Sequence, residues 1–271
     1  MTDKFKIGLL GVVSTALFLD VPTPQLLARF SDCRAIGLAG TSRSETPAWM
    51  QVHLARAFEW LNSLGAAICH YKVCSTFDSS PGIGSIGKAI EIGRAVFGHS
   101  VVPVIVGAPQ LKRYTAFGNL FAAYQGRIFR IDRHPVMSRH PVTPMDEADL
   151  AVHLSKQTRL PVLVADLVAI TAADADQRID ELASSSEGIL LIDVDSEATQ
   201  QAAGQQLLRV TGRSASFVAG SSGIEYALLS AWRRSGFIDD SRTEFPDIGP
   251  VDRLAVVAGS VSPTTERQIR T

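Results

Sequence analysis

The chain has 271 residues, 46% of them apolar and 20% charged, which is enough to bury a core and excludes a disordered segment. A net charge of −1 gives no global pull toward nucleic acid or a membrane surface. Three cysteines, Cys33, Cys69 and Cys74, lack metal-ligand spacing and point to a reducing, cytoplasmic setting without a disulfide framework.

Lys4 and Lys6 precede an apolar run from Ile7 to Leu19. It continues into Asp20-Val21-Pro22-Thr23-Pro24 with no small-x-small cleavage site and is too short to span a bilayer. It reads as a buried segment, partly strand. Apolar runs then alternate with amphipathic stretches, which predicts an α/β fold with an open, mostly parallel sheet and flanking helices. Strands are expected at 13–19, 35–38, 67–73, 101–106, 161–164, 188–193, 216–218 and 254–258. Helices are expected at 24–30, 47–64, 87–97, 147–157, 173–183, 196–209, 223–234 and 263–270. Thr46-Pro47 has the form of an N-cap followed by proline at the first helical position, and Thr143-Pro144 suggests another helix entry. The stretch 236–252, with Gly236, Asp239, Asp240, Pro246, Gly249 and Pro250, has linker composition. It divides a domain at 1–235 from the first strand and helix of a second α/β unit at 253–271. There, Gly259-Ser260-Val261-Ser262-Pro263 forms a strand-to-helix turn suited to a phosphate.

The richest segment runs from Tyr71 to Gly87. A lysine, an aspartate and several hydroxyls (Lys72, Ser75, Thr76, Asp78, Ser79, Ser80) follow an apolar run, so the loop lies where a buried strand ends. Ligands of open α/β sheets bind at those carboxyl ends. Lys72 and Asp78 have two readings: a cation and a hydroxyl-orienting acid for an anionic polyol, or a salt bridge closing the loop. Gly82-Ile83-Gly84-Ser85-Ile86-Gly87 spells G-x-G-x-x-G, but eight residues separate Val73 from Gly82 and the following strand ends without an acid for a ribose. The expected alternative is a helix N-terminus whose free N–H groups face the ligand. Cys74 reads as a small filler at the strand end.

Arg43, in Ser42-Arg43-Ser44, follows a strand and offers a second anion clamp. Between Lys112 and Arg139 six cations stand against only Asp132, a pattern that suggests a fixed anion-binding loop. In Arg139-His140-Pro141-Val142-Thr143-Pro144 two prolines stiffen the backbone, either to hold Arg139, His140 and Thr143 toward a ligand or to connect sheet and helix. Ser221-Ser222-Gly223 is either an anion cradle or a tight strand-to-helix connection. The histidines have no ligand spacing, so no metal site is expected on the side chains.

Together these motifs resemble the four-carbon acid sugar kinase family. The resemblance is carried by Tyr71–Ser79, Gly84–Gly87 and His140-Pro141-Val142-Thr143-Pro144-Met145, and covers roughly residues 17–268. It implies an acid-sugar-binding domain followed by a nucleotide-binding domain. The reaction implied is ATP- and Mg2+-dependent phosphorylation of a tetronate such as threonate, erythronate or 3-oxo-tetronate. By similarity Arg43, Lys72, Asp78, Ser79, Arg139 and His140 line the sugar-acid side, with Asp78 and Lys72 as catalytic candidates. Ser260 and Ser262 open the nucleotide side. The family's acidic Asp-Asp-Phe-Thr-Gly type loop has no counterpart in Gly8–Ser14, and glycine-rich ATP segments do not follow, so the chain reads as shortened at both ends. The implied partner is a small anionic polyhydroxylated substrate, with a homodimer left open. The alternative is a non-catalytic sugar-acid-binding protein derived from the same family.

Overall fold

Strands β4 (Val101–Ile105) and β9 (Gly188–Ile192) are buried at every position, as strands covered on both faces must be. They lie within a parallel five-stranded sheet completed by β3 (Ile68–Lys72), β8 (Val162–Ala165) and β10 (Ser216–Gly220), in the order β3-β10-β4-β9-β8. The computed structural model describes residues 13–185, 187–212, 216–238, 249–253, 255 and 263–270. A separate parallel pair joins β1 (Thr15–Phe18), through α1 (Pro24–Ala28), to β2 (Ala35–Leu38), with Thr15 opposite Ala35. The α/β class and mostly parallel sheet are those expected from the sequence. The strand expected at 254–258 lies outside the described residues except for Ala255.

Strand alternation divides the core in two. Ile189 and Leu191 of β9 join Phe217, Met50, Leu54, Ile90 and Leu154 on one face, under α2 (Pro47–Ser63), α3 (Ile86–Phe97) and α4 (Leu150–Ser155). Leu190 and Ile192 join Ile105, Val218, Leu207 and Ile224 on the other face. There α5 (Leu167–Thr171), α6 (Ala175–Ser185), α7 (Glu197–Thr211) and α8 (Ser222–Arg234) pack. Thr46 accepts from Trp49 N, so the cap expected from Thr46-Pro47 is present.

Three expectations need correction. The helix expected from 147 begins only at Leu150, behind Asp149, which accepts from Ala151 N and Val152 N. Glu147 instead turns the preceding loop by accepting from Ala148 N and Asp149 N. The helix expected at 173–183 is present as α6, two residues later, and a short helix not expected, α5, precedes it. A three-stranded antiparallel sheet, absent from the expectations, follows β4: β5 (Arg113–Ala116), β6 (Asn119–Tyr124) and β7 (Arg127–Arg130). Its turns, Phe117-Gly118 and Gln125-Gly126, have positive φ at both residues, which matches the twist of a two-residue hairpin. Asp193, just past β9, accepts from Gly118 N at 3.1 Å and pins this hairpin to the carboxyl end of the main sheet.

Candidate functional site

At that carboxyl end, loops from three parts of the chain meet on Asp78. Arg43 Nη2 donates to Asp78 Oδ2 at 2.7 Å from the turn after β2. Thr76 Oγ1 donates to Oδ1 at 2.5 Å from within the loop itself. Thr143 Oγ1 donates to Oδ2 at 3.2 Å from the His140–Met145 segment. His140 Nδ1 accepts from Thr143 N at 3.1 Å, which closes the two-proline loop onto the same cluster. Burial alone pushes the Asp78 carboxyl up. The charge of Arg43 and the hydrogen bonds from Thr76 and Arg43 outweigh it, holding the group below the usual carboxylate range. Asp78 is therefore an ionised, fully shielded tether, with no exposed side-chain surface, whereas the Arg43 side chain keeps 35% exposure.

The loop holds a strained backbone to make this junction. Phe77 is buried with φ 55, left-handed for a residue with a Cβ, and its neighbours fix it there. Ser79 Oγ lies 2.9 Å from His153 Nε2, accepts from Gln157 Nε2 at 2.9 Å and is 3.1 Å from Phe77 O. Burial first, then the charge of Lys156, pushes His153 down to about 4, so the imidazole is neutral near pH 7. Ser42 Oγ and the Tyr71 hydroxyl, 3.0 Å apart, tie the ends of β2 and β3 together.

The G-x-G-x-x-G run has a packing cause. Gly84 sits at φ 61, and a Cβ there would meet Arg43 O at 2.3 Å, so only glycine lets the loop press against the Arg43 turn. The expectation of free N–H groups at the following helix is not met. Gly87 N donates to Gln157 Oε1, Lys88 N to Ser85 Oγ and Ala89 N to Ser85 O. Ser221-Ser222-Gly223 is the tight connection of its two readings: a Cβ on Gly220 would meet Ile105 O at 2.1 Å, and Ser221 Oγ donates to Val106 O.

Of the residues expected at the sugar-acid side, Arg43, Asp78 and His140 come together, and Ser79 stands behind them as a buried support. Lys72 does not join them as the salt-bridge reading required, because Asp78 takes Arg43. Residue alternation puts Lys72 with Ile68 and His70 on the opposite face of β3, where its charge acts on His70 and Glu225. Arg139 is exposed at the end of a short turn, Met137–Arg139. Ser260 and Ser262 lie outside the described residues. The basic stretch 112–139 is not one loop. It is spread along β5–β7 and the two short turns that follow, with Arg130 bound to Asp132 at 3.0 and 2.7 Å. His134 is a buried cap whose Nδ1 accepts from Val136 N and Met137 N. Sequence reasoning gave Thr76 no particular role; a hydroxyl two residues before the acid was the available signal.

A family model described as the sugar-binding N-terminal domain matches residues 6–228. A 3-oxo-isoapionate kinase of Paraburkholderia graminis is 46% identical over 268 residues, 99% of this chain and 57% of the relative. A 3-oxo-tetronate kinase of Pseudomonas fluorescens is 28% identical over 99% of this chain and 60% of its own length. Among solved structures, a Haemophilus influenzae protein superposes with a TM-score of 0.69 at 20% identity, covering 83% of this chain and 51% of its own. A Bordetella bronchiseptica protein, a domain-swapped dimer with bound citrate, gives 0.62 at 21%, covering 82% and 51%. These two show the fold. The chain thus spans less than two thirds of the length of these relatives. With the sugar-binding N-terminal domain matched over most of its length and a relative 46% identical across it, the chain belongs to the four-carbon acid sugar kinase family.

Proposed function

We propose that this chain binds a small sugar acid of the tetronate type at the carboxyl end of its sheet, for ATP-dependent phosphorylation in the whole kinase. The observation that carries the reading is the convergence of Arg43, Asp78, Thr143 and His140 from three segments onto one point. Such an arrangement holds a cation and polar groups in fixed positions, which phosphoryl transfer needs more than covalent help. The kinase names of the relatives and the citrate in the Bordetella protein, a small polyanion, support the same ligand class.

In this proposal Arg43, His140 and Arg139 present to the substrate. Asp78 orients Arg43 and Thr143 rather than taking a proton, since it is shielded and held in its weakly basic ionised form. Lys72 supplies charge from below the site, and Ser79 holds the loop. Residues 1–235 are assigned to the acid-sugar domain, 236–252 to a linker, and 253–271, with Ser260 and Ser262, to the start of a nucleotide domain. Among the described residues no group of three or more His, Cys, Asp and Glu side chains is placed to hold a metal. ATP and its metal are assigned to the remainder of the kinase. No described helix is long and apolar enough to cross a membrane.

The test is thermal unfolding of the chain with threonate, erythronate, 3-oxo-tetronate and citrate. Stabilisation by at least one tetronate is expected, weakened in Arg43→Gln. If no tetronate changes the melting temperature, the reading is wrong.

A further inference from the structure

Ser79 is expected from the sequence to line the ligand side, but donor counting gives it another task. Its hydroxyl has one proton and two lone pairs. Three partners surround it: Phe77 O at 3.1 Å, Gln157 Nε2 at 2.9 Å and His153 Nε2 at 2.9 Å. Gln157 Oε1 accepts from Gly87 N at 3.2 Å, which turns the amide nitrogen toward Ser79 as a donor. Phe77 O can only accept, so it takes the Ser79 proton. That leaves a lone pair for His153, whose Nε2 must then carry the imidazole proton. The other tautomer would ask one hydroxyl proton to serve both Phe77 O and His153. It would also bury an N–H at Nδ1, which has no partner. The Ser79 hydroxyl is saturated in this arrangement, with nothing left for a ligand.

These bonds hold the backbone on both sides of Asp78. The Ser79 Oγ–Phe77 O bond spans the acid, and Phe77 N donates to Cys74 O at 3.0 Å. The left-handed Phe77 is thus fastened before and after its strained φ of 55. Phe77, Asp78, Ser79 and His153 are all buried. His153 lies in α4 and Gln157 just beyond it, with Gln157 N donating to Leu154 O at 2.8 Å. A fourth segment of the chain therefore supports the acid that Arg43 Nη2 and Thr143 Oγ1 meet.

We propose that His153 and Gln157 are positioning residues for the bound acid: acting through Ser79, they fix the direction of the Asp78 carboxylate and, through it, the guanidinium of Arg43. This rests on the sugar-acid reading. The end of α4 then serves the site without touching the ligand.

The experiment is calorimetric titration of the 271-residue chain with L-threonate, D-erythronate and 3-oxo-tetronate, following the acid that binds most tightly. His153→Leu is expected to weaken binding about tenfold. His153→Gln is expected to restore most of the loss, because its amide N–H reaches the position of Nε2, whereas His153→Asn reaches that of Nδ1 and restores little. In an Arg43→Gln background His153→Leu is expected to cost less than about twofold, since the network acts on the ligand through Arg43. The same loss in both backgrounds makes His153 a general support of the fold and overturns the proposal. Unchanged affinity in His153→Leu also overturns it, and either result leaves the sugar-acid reading standing. A wild type that binds none of these acids overturns both. Where a variant fails to fold, the wild type decides. Its long-range proton–nitrogen correlation spectrum is expected to show the His153 proton on Nε2, and a proton on Nδ1 overturns the proposal.

Discussion

Two acids at the same end of the sheet, each next to a basic side chain, end in opposite charge states. Asp78 accepts from Arg43, Thr76 and Thr143 at 2.5–3.2 Å and is held ionised below the ordinary carboxylate range. Glu225, in the first turn of α8, lies 3.8 Å from His70 Nδ1, close enough for an ion pair. Yet burial pushes Glu225 up to about 7, against the charge of Lys72 and a hydrogen bond from Ser222. His70 is pushed down to about 3, chiefly by burial, and its Nε2 lies 3.1 Å from Gly220 O. Below about pH 7 this contact joins two neutral groups. The difference is the guanidinium of Arg43 and the hydrogen bonds around Asp78, not burial: a desolvated carboxylate stays charged only where a close cation and enough donors replace its water. The side of the sheet with Asp78 can therefore present a fixed charge pattern to an anion, while the side with Glu225 and Lys72 titrates.

The largest expected effect comes from breaking the charged side. Asp78→Ala leaves Arg43 half-buried without its acid and is expected to cost about 3 kcal/mol in urea unfolding, the low end for a broken buried pair because Arg43 keeps some water. A cost below about 1 kcal/mol would mean the tether is not structural. The neutral side has the opposite signature. The Glu225 pKa is raised in the fold from 4.5 to about 7, so its stabilisation is complete below pH 4.5 and is lost as pH rises through 7. Wild type is expected to lose about 3 kcal/mol over that window relative to Glu225→Gln, read as a widening gap in melting temperature between pH 5 and 8. A constant gap would refute the shifted carboxyl. His70 and His153 act in the reverse sense, losing stability as pH falls from 6.5, but they cancel in this difference. Thr143→Val removes one donor from Asp78 and is expected to cost about 2 kcal/mol, with the acid limb of the unfolding curve moving to higher pH. Lys72→Met should have the smallest effect. It removes a charge that holds Glu225 down, so the Glu225 transition is expected to move up by less than about one pH unit. A shift in the acid limb set by Asp78 instead would return Lys72 to the Asp78 side.

Much of the fold was legible because parallel strands and covering helices impose strong periods on the chain. The buried run at 101–106 and the Thr46-Pro47 cap are local patterns with local causes. The β5–β7 sheet was not, since Phe117-Gly118 and Gln125-Gly126 lack the Asn-Gly or Asp-Gly form that marks a hairpin, and its strands are partly exposed. In the site, the loop with Asp78, and the more distant Arg43 and His140, could be picked out as polar groups at strand ends. Lys72 was misplaced because its face follows from the pairing of β3 with β10, Lys72 opposite Gly220, a partner far along the chain.

By itself the sequence determined the α/β class and the strand ends where polar loops gather. Local period and backbone sterics are written residue by residue, so they need no partner to be read. The tertiary structure alone decided which acid meets which base, that Asp78 takes Arg43 and leaves Lys72 to Glu225, and which charges stay ionised. Those outcomes depend on how many donors arrive from distant loops and how much water they exclude, and neither quantity exists until the chain has closed on itself.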